Sequence, residues 1–422
     1  MTTNQEFISL KAGEELRVEV GFDQKFWVKL NTGFAECFGA ELGKREEYGG
    51  EFISKYVAST TPMYMCMNIH LALQSQRISA KELSDKDMLQ ASPRLLVLGP
   101  KDSGKTTLGM VTVPGTISAT QFTHSLNPID GFMSHGIVND SGGVDHPLVF
   151  HYGHLETSDH PFLFRRLVKR LAATVEAQIK LNPSKSMAGI IIDTSGEMPS
   201  DYQVEIEDIV ELFNVNRILV IENEKFYNTF VKRYEDNQNI SIAFMQKSGG
   251  VVSRDSKFLH SYRDSTIKKY FHGTDSEKLQ SFSTTLKIQD IGLFKFGQES
   301  LAPSSTLPLG ESRKVTETQV SRVAIDDKIL NMMISVLQLD LPEATKSMVD
   351  SNEHAEMDEK EQVEVDFNIS EDSVLDAPVL GFINVASIDP NKNYVTVLSP
   401  SPGRVPSKVM LLSDIQWIET EG

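Results

Sequence analysis

The chain has 422 residues, enough for about two to four domains; it is 40% apolar and carries a net charge of −17. Its two cysteines, Cys37 and Cys66, are too few for a disulfide framework, which points to a reducing compartment. The acidic balance opposes general nucleic-acid binding but is uneven, because Asp350 to Asp376 hold eleven carboxylates against Lys360 alone.

The first residues show neither a basic region nor an apolar run of the secretory type. No run of eighteen apolar residues occurs, so no membrane span is expected. Leu16–Val20 and Phe26–Leu30 alternate with period two and predict strands, with Asn31-Thr32-Gly33 as a turn and Gly39 as a second turn or bulge. Trp27 and both cysteines are expected in cores. A helix is expected to begin at Met67–Leu73, and Leu95–Leu98 reads as a buried strand.

Gly99-Pro100-Lys101-Asp102-Ser103-Gly104-Lys105-Thr106 follows that strand and matches G-x-x-x-x-G-K-[ST] at every fixed position. Glycines let backbone N–H groups curl around phosphate oxygens, Lys105 brings a positive charge, and the Thr106 hydroxyl can ligate Mg²⁺. The predicted cofactors are ATP and Mg²⁺.

Phe162–Ile179 has apolar residues at helical spacing, with Arg165, Arg166, Lys169 and Arg170 on an outer face expected to be solvated. Ala188–Ile192 predicts a buried strand ending in Asp193, which can hold Mg²⁺ through water or merely cap a turn. Val204–Phe213 is a predicted helix, Arg217–Glu222 a strand, Phe226–Tyr234 a helix and Ile240–Met245 a strand. Such alternation means a mostly parallel sheet covered on both faces. Arg254, Lys257, Arg263, Lys268 and Lys269 follow Ser248-Gly249-Gly250; they read either as a phosphate-closing lid or as a basic surface helix. His151 and His154 lack the further ligands that structural zinc requires, and read as strand-end or turn histidines.

Beyond Gly273, strands are predicted at Thr284–Gln289, Gly292–Phe296, Val379–Ile383, Tyr394–Leu398 and Val409–Leu412, and a helix at Ile329–Leu339. Residues 350–376 are expected to form an acidic disordered loop. The expected fold is α/β: a central P-loop kinase-like parallel sheet flanked by an N-terminal all-β domain and a C-terminal α+β domain. The expected boundaries are 1–75, 76–275 and 276–422.

Several stretches together resemble the eukaryotic polyribonucleotide 5′-hydroxyl kinase family, which includes the nuclear pre-mRNA cleavage-and-polyadenylation factor subunit. They include Glu15-Leu16-Arg17, Glu36-Cys37-Phe38-Gly39, the phosphate loop, Val113-Pro114-Gly115-Thr116 and Pro147-Leu148-Val149-Phe150-His151-Tyr152-Gly153-His154. Lys247-Ser248-Gly249-Gly250-Val251-Val252-Ser253-Arg254 and Lys269-Tyr270-Phe271-His272-Gly273 continue the match. The resemblance implies that Glu15 reads adenine, and that Gly99, Asp102, Ser103, Gly104, Lys105, Thr106 and Thr107 hold the nucleotide. With them Lys105, Asp193 and Arg254 are the candidate catalytic residues and Thr106 the metal ligand, Asp193 assisting. It also implies a nuclear role in mRNA 3′-end formation, with a cleavage-factor scaffold subunit and other 3′-end processing factors as partners and RNA as a further ligand.

The chain departs from the family in three places. Thr107–Thr112 runs directly into Val113-Pro114-Gly115, where the family has a helix, a strand and an Asp-x-Gly-Gln acid. A parallel crossover needs at least about ten to twelve residues, so this segment cannot supply helix and strand together. The β-domain is short, and the family's nucleotide-contacting lysine has only Lys44 and Lys55 as loose counterparts. Leu259 stands where active members carry a second lid arginine. The expected function is an ATP-binding subunit of the cleavage and polyadenylation machinery that acts by assembly, with impaired kinase chemistry. The alternative is an active RNA 5′-hydroxyl kinase.

Overall fold

Strand β5 (Arg94–Leu98) is buried along its whole length, as a central parallel strand must be. It lies in a seven-stranded sheet with β6 (Gln121–Leu126), β7 (Phe132–Val138), β8 (Val144–His151), β9 (Ile190–Thr194), β10 (Arg217–Ile221) and β11 (Ser241–Met245). The order is β11-β10-β5-β9-β6-β7-β8. The first five strands run parallel, and β7 and β8 extend the sheet antiparallel. This computed structural model describes residues 6–21, 26–38, 40–42, 53–83, 91–111, 121–126, 132–138, 144–157, 160–181, 187–196, 203–273, 278–297, 317–339 and 369–419.

Alternation along β5 decides which helix covers which face. Leu95 and Val97 pack with Cys66 and Leu73 of α1 (Met63–Lys81). Leu96 and Leu98 pack with Leu163, Leu167, Leu171 and Val175 of α3 (Pro161–Leu181) on the other face. Between these helices in sequence lies α2 (Lys105–Val111), directly after the phosphate loop. Helices α4 (Gln203–Leu212) and α5 (Glu224–Arg233) complete the α/β alternation, and α6 (Ser256–His272) leads out of the sheet.

A second seven-stranded sheet is built from β12 (Phe282–Lys287), β13 (Gly292–Phe296), β14 (Val320–Arg322), β15 (Met332–Leu337), β16 (Val379–Asp389), β17 (Tyr394–Ser399) and β18 (Val409–Gln416). Its order is β12-β17-β16-β15-β18-β13-β14, antiparallel except between β13 and β18. Leu337, Val409 and Leu411 enter the core of the first sheet, whereas Val336, Met410 and Leu412 line a separate core. Burying each such side chain contributes about 1.5–3 kcal/mol. His151 Nδ1 meets Ser335 Oγ at 2.8 Å across the junction.

The N-terminal part pairs β1 (Glu15–Glu19) antiparallel with β4 (Ser54–Ala58), and β2 (Glu36–Cys37) with β3 (Ala40–Glu41). Strand β1 confirms the first predicted strand. Phe26–Leu30, by contrast, forms no strand, and Trp27 is 49% exposed. Alternation alone does not make a strand; ladder pairing does. Cys37 is exposed and only Cys66 is buried.

Three further expectations change. Ile329–Leu339 is not a helix: a 3₁₀ turn ends at Ile329 and Met332–Leu337 is the middle strand β15. A run that is apolar but for Ser335 fits a strand buried on both faces as well as a helix. The end of the acidic stretch is ordered as helix α7 (Glu371–Leu375), because Val374 and Leu375 are buried and the Ser370 hydroxyl accepts from Ser373 N–H. The part of the stretch from 350 to 368 lies outside the described residues, as do Gly39 and Lys44. Finally, the basic face of α3 is not simply solvated. Arg165 pairs with Glu205 at 3.2 Å, and Arg166 with Asp372 at 2.8 Å and Asp376 at 3.3 Å.

Candidate nucleotide site

The chain leaves β5 at the point where its neighbours diverge. Strand β9 lies on one side and β10 on the other, a topological switch point of the kind that collects ligands. Gly104 there has φ +86°, and an added Cβ would sit 3.3 Å from Val251 Cγ2, so the tight loop requires glycine. Asp102 also has a left-handed backbone, φ 54°. Its carboxylate Oδ2 accepts from the Arg254 backbone N–H at 2.8 Å, which ties the loop to the segment after β11.

Lys105 is buried and its Nζ donates to the carbonyls of Gly99 (3.0 Å) and Pro100 (2.8 Å). Burial pushes its pKa down, against the pull of Asp193 and Asp102. Thr106 Oγ1 donates to Asp193 Oδ2 at 2.6 Å. Burial raises the Asp193 pKa, while the Thr106 bond and Lys105 work the other way. Asp193 is held by Thr194, whose hydroxyl donates to Val97 O at 2.8 Å and locks β9 onto β5.

Two buried oxygens here, Ser103 Oγ and Asp193 Oδ1, and a third on β1, Glu15 Oε2, have no hydrogen-bond partner among the described residues. Orphaned buried polar atoms are costly unless something fills their valence. Ser103 can donate to a phosphate oxygen, and Asp193 Oδ1 is a hard oxygen suited to Mg²⁺ or its water. The residues present therefore fit a nucleotide–Mg²⁺ ligand.

The structure brings Gly99, Asp102, Ser103, Gly104, Lys105, Thr106 and Asp193 together. Thr107 is exposed as the third residue of α2. Arg254 reaches the loop through its backbone, while its guanidinium stacks over Phe258 at 5.4 Å. Glu15 stands on β1 beside α1: burial, then its charge, pushes the Cys66 thiol up. Lys55 pairs with Glu6. His151 is fully buried, and burial lowers its pKa to about 3, so it is neutral. His154 bonds Asp414 at 2.6 Å. Among the described residues there is no group of three or more His, Cys, Asp or Glu placed to hold a metal, and no helix long and apolar enough to cross a membrane.

The seven residues of α2 end at Val111, and the strand beside β9 is Gln121–Leu126 rather than a segment directly after the loop. The sequence alone assigns no role to Arg17 or Tyr56. The signal for Arg17 was its i+2 spacing from Glu15, which places both on one face of β1.

Residues 9–50 match the family described as N-terminal beta-sandwich domain of polyadenylation factor. Residues 108–273 match mRNA cleavage and polyadenylation factor CLP1 P-loop, and 279–419 match Pre-mRNA cleavage complex II protein Clp1. The chain is 30% identical over 455 residues to Protein CLP1 homolog of Dictyostelium discoideum, covering 97% of this chain and 89% of that protein. The chain belongs to the Clp1 family. It is also 26% identical over 449 residues to Polyribonucleotide 5′-hydroxyl-kinase Clp1 of Danio rerio, covering 96% of this chain and 92% of that one. A solved wild-type Clp1p–Pcf11p (454–563) complex shares the fold, with a TM-score of 0.75 at 20% identity over 97% of each chain. The family is one of cleavage and polyadenylation factors with a P-loop kinase-like domain, and that domain implies nucleotide binding.

Proposed function

We propose that this Clp1-family chain is a nuclear ATP·Mg²⁺-binding subunit of the pre-mRNA cleavage and polyadenylation machinery, acting mainly by assembly with a Pcf11-like scaffold subunit. The observation that carries the nucleotide part is the phosphate loop with Thr106 and Asp193 locked at 2.6 Å beside the orphaned Ser103 Oγ and Asp193 Oδ1. Lys105 would leave its loop carbonyls for the β/γ-phosphates, Thr106 and Asp193 would hold Mg²⁺, and Glu15 would accept from the adenine amino group. Bound Mg²⁺ would neutralise phosphate charge. The division near residues 75 and 275 belongs to the same reading, with the first boundary inside α1.

Kinase chemistry is proposed to be impaired. The α2 segment leaves no room for the family's acid before Val113, and Leu259 cannot donate to a phosphate oxygen. Arginine fingers alone supply about 10³–10⁵ in rate. Full-length protein is incubated with γ-labelled ATP and a 5′-OH RNA, with Lys105→Ala as control. Transfer at ordinary kinase rates that depends on Lys105 would overturn the impaired reading. The same Thr106–Asp193 pair favours the second reading, an active RNA 5′-hydroxyl kinase in which Arg254 turns toward the phosphates, and that result would establish it.

A further inference from the structure

We propose that Arg17 is a positioning residue of this site, which fixes Glu15 and the base of the segment leading to Arg254 in one arrangement. The proposal rests on the nucleotide reading of Glu15 and the phosphate loop given above.

Arg17 Nε donates to Glu15 Oε1 at 3.0 Å. The other oxygen, Oε2, is buried without a partner among the described residues. Pinning one oxygen gives the carboxylate a single acceptor of fixed direction. Such an acceptor suits the exocyclic amino group of adenine and repels the carbonyl oxygen that guanine carries there. If Arg17 let go, Glu15 would turn and the distinction would fade.

The guanidinium is itself fixed from the neighbouring strand. Nη1 donates to Tyr56 Oη at 3.4 Å and Nη2 to Thr60 O at 3.2 Å. Its far side faces Ser248-Gly249-Gly250. A Cβ at Gly249 would stand 2.6 Å from Arg17 Nη1, and one at Gly250 would stand 3.3 Å from Arg17 Cδ. Tyr56 Oη also donates to Gly249 O at 3.2 Å. This glycine pair therefore exists in the space that Arg17 leaves, and it begins the stretch that ends at Arg254, whose N–H is held by Asp102. One side chain thus touches the base-reading residue and the root of the phosphate-closing segment.

The test measures affinities of the full-length chain for ATP and GTP by competition with a fluorescent ATP analogue. Variants are Arg17→Ala, Arg17→Lys, Gly249→Ala, the Arg17→Ala/Gly249→Ala pair and Lys105→Ala, each checked for folding by circular dichroism and melting. Arg17→Ala is expected to weaken ATP about tenfold, the size of one lost charged hydrogen bond, with GTP little changed. Gly249→Ala should do the same by pushing the guanidinium aside, and the pair should bind no more weakly than Arg17→Ala alone. Arg17→Lys keeps the charge without the fork and should recover part of the ATP preference. A purely structural arginine would lower both nucleotides together. An unchanged ATP-to-GTP ratio in Arg17→Ala, or full additivity with Gly249→Ala, overturns the proposal while Lys105→Ala still weakens binding. Equal binding by wild type and Lys105→Ala would instead sink the underlying nucleotide reading. If Arg17→Ala does not fold, Arg17→Lys and Gly249→Ala decide by the same ratio.

Discussion

Thr106 Oγ1 lies 2.6 Å from Asp193 Oδ2, joining the first turn of α2 to the end of β9. Burial raises the Asp193 pKa, so the folded state binds its proton more tightly than the unfolded chain does. The sign follows from linkage. Stability falls as pH rises from the ordinary carboxylate value of about 4 through the raised folded value, and then stays level. Asp193→Asn removes that penalty, and its amide oxygen can still accept from Thr106. The ligand-free variant should melt higher than wild type at neutral pH, and the gap should close toward pH 4. Its Mg²⁺–ATP affinity should fall about tenfold, since the carboxylate is gone. A melting gap independent of pH would refute the assignment of a buried, charged Asp193.

Lys105 now rests on the carbonyls of Gly99 and Pro100, two contacts that phosphate must displace. Lys105→Ala removes both and leaves a neutral loop. A charged hydrogen bond is worth about 1.5–3 kcal/mol, so ATP affinity should drop about 10- to 100-fold. Melting in the absence of nucleotide should change little, because the loop geometry is set by Gly104 and Asp102. Titration calorimetry of both forms checks this; equal affinities would show that Lys105 does not meet the phosphates.

Asp414 joins the two large sheets. Burial opposes its ionisation, but the hydrogen bonds from His154 (2.6 Å) and Lys295 (2.8 Å) prevail and hold the carboxyl below the usual range. A depressed folded pKa contributes stability above the unfolded value of about 4, and that contribution is lost as pH falls through the folded value. Asp414 keeps 40% of its side chain exposed, so solvent screening limits the effect to about 1 kcal/mol. Asp414→Asn should therefore lower stability at neutral pH and match wild type in strong acid. Denaturant melts at both pH values decide it; a difference that persisted in acid would mean packing, not charge, is lost.

Local constraints made parts of this molecule readable from sequence. The phosphate loop needs a glycine at positive φ, a lysine and a hydroxyl within eight residues, so it announces itself. Asp193 was visible as the acid closing the apolar strand Ile190-Ile191-Ile192. The failures are non-local. Phe26–Leu30 alternates correctly but forms no strand, and Met332–Leu337 reads as either period because the sheet buries both its faces. The apolar pair Val374-Leu375 sits inside an acidic stretch, and only its burial against the core reveals why the chain orders there. Arg17 and Gly249 share one space yet lie far apart in the sequence, so no window could show that the glycine is kept for the arginine.

Helix α6 is anchored at the end far from the phosphate loop. Phe271 is fully buried and stacks on Trp417, ring centroids 5.4 Å apart, while the Tyr270 hydroxyl accepts from Phe382 N–H at 3.0 Å. The opposite end starts one residue after Asp255, which caps the helix by accepting from Phe258 N–H at 2.7 Å. The helix is thus held at its start by a cap next to Arg254 and at its C-terminal end by the core of the second sheet. Phe271→Ala empties that socket and should cost about 3–5 kcal/mol, the usual range for a buried phenylalanine. Because the socket is shared with Met333, Leu398 and Ile415, the loss should appear first as faster amide exchange in α6 and around Ile415. Exchange in β5 and β10, which belong to other cores, should remain slow. If protection instead fell uniformly through all these strands, α6 would be part of one cooperative unit and would not move independently of the sheets.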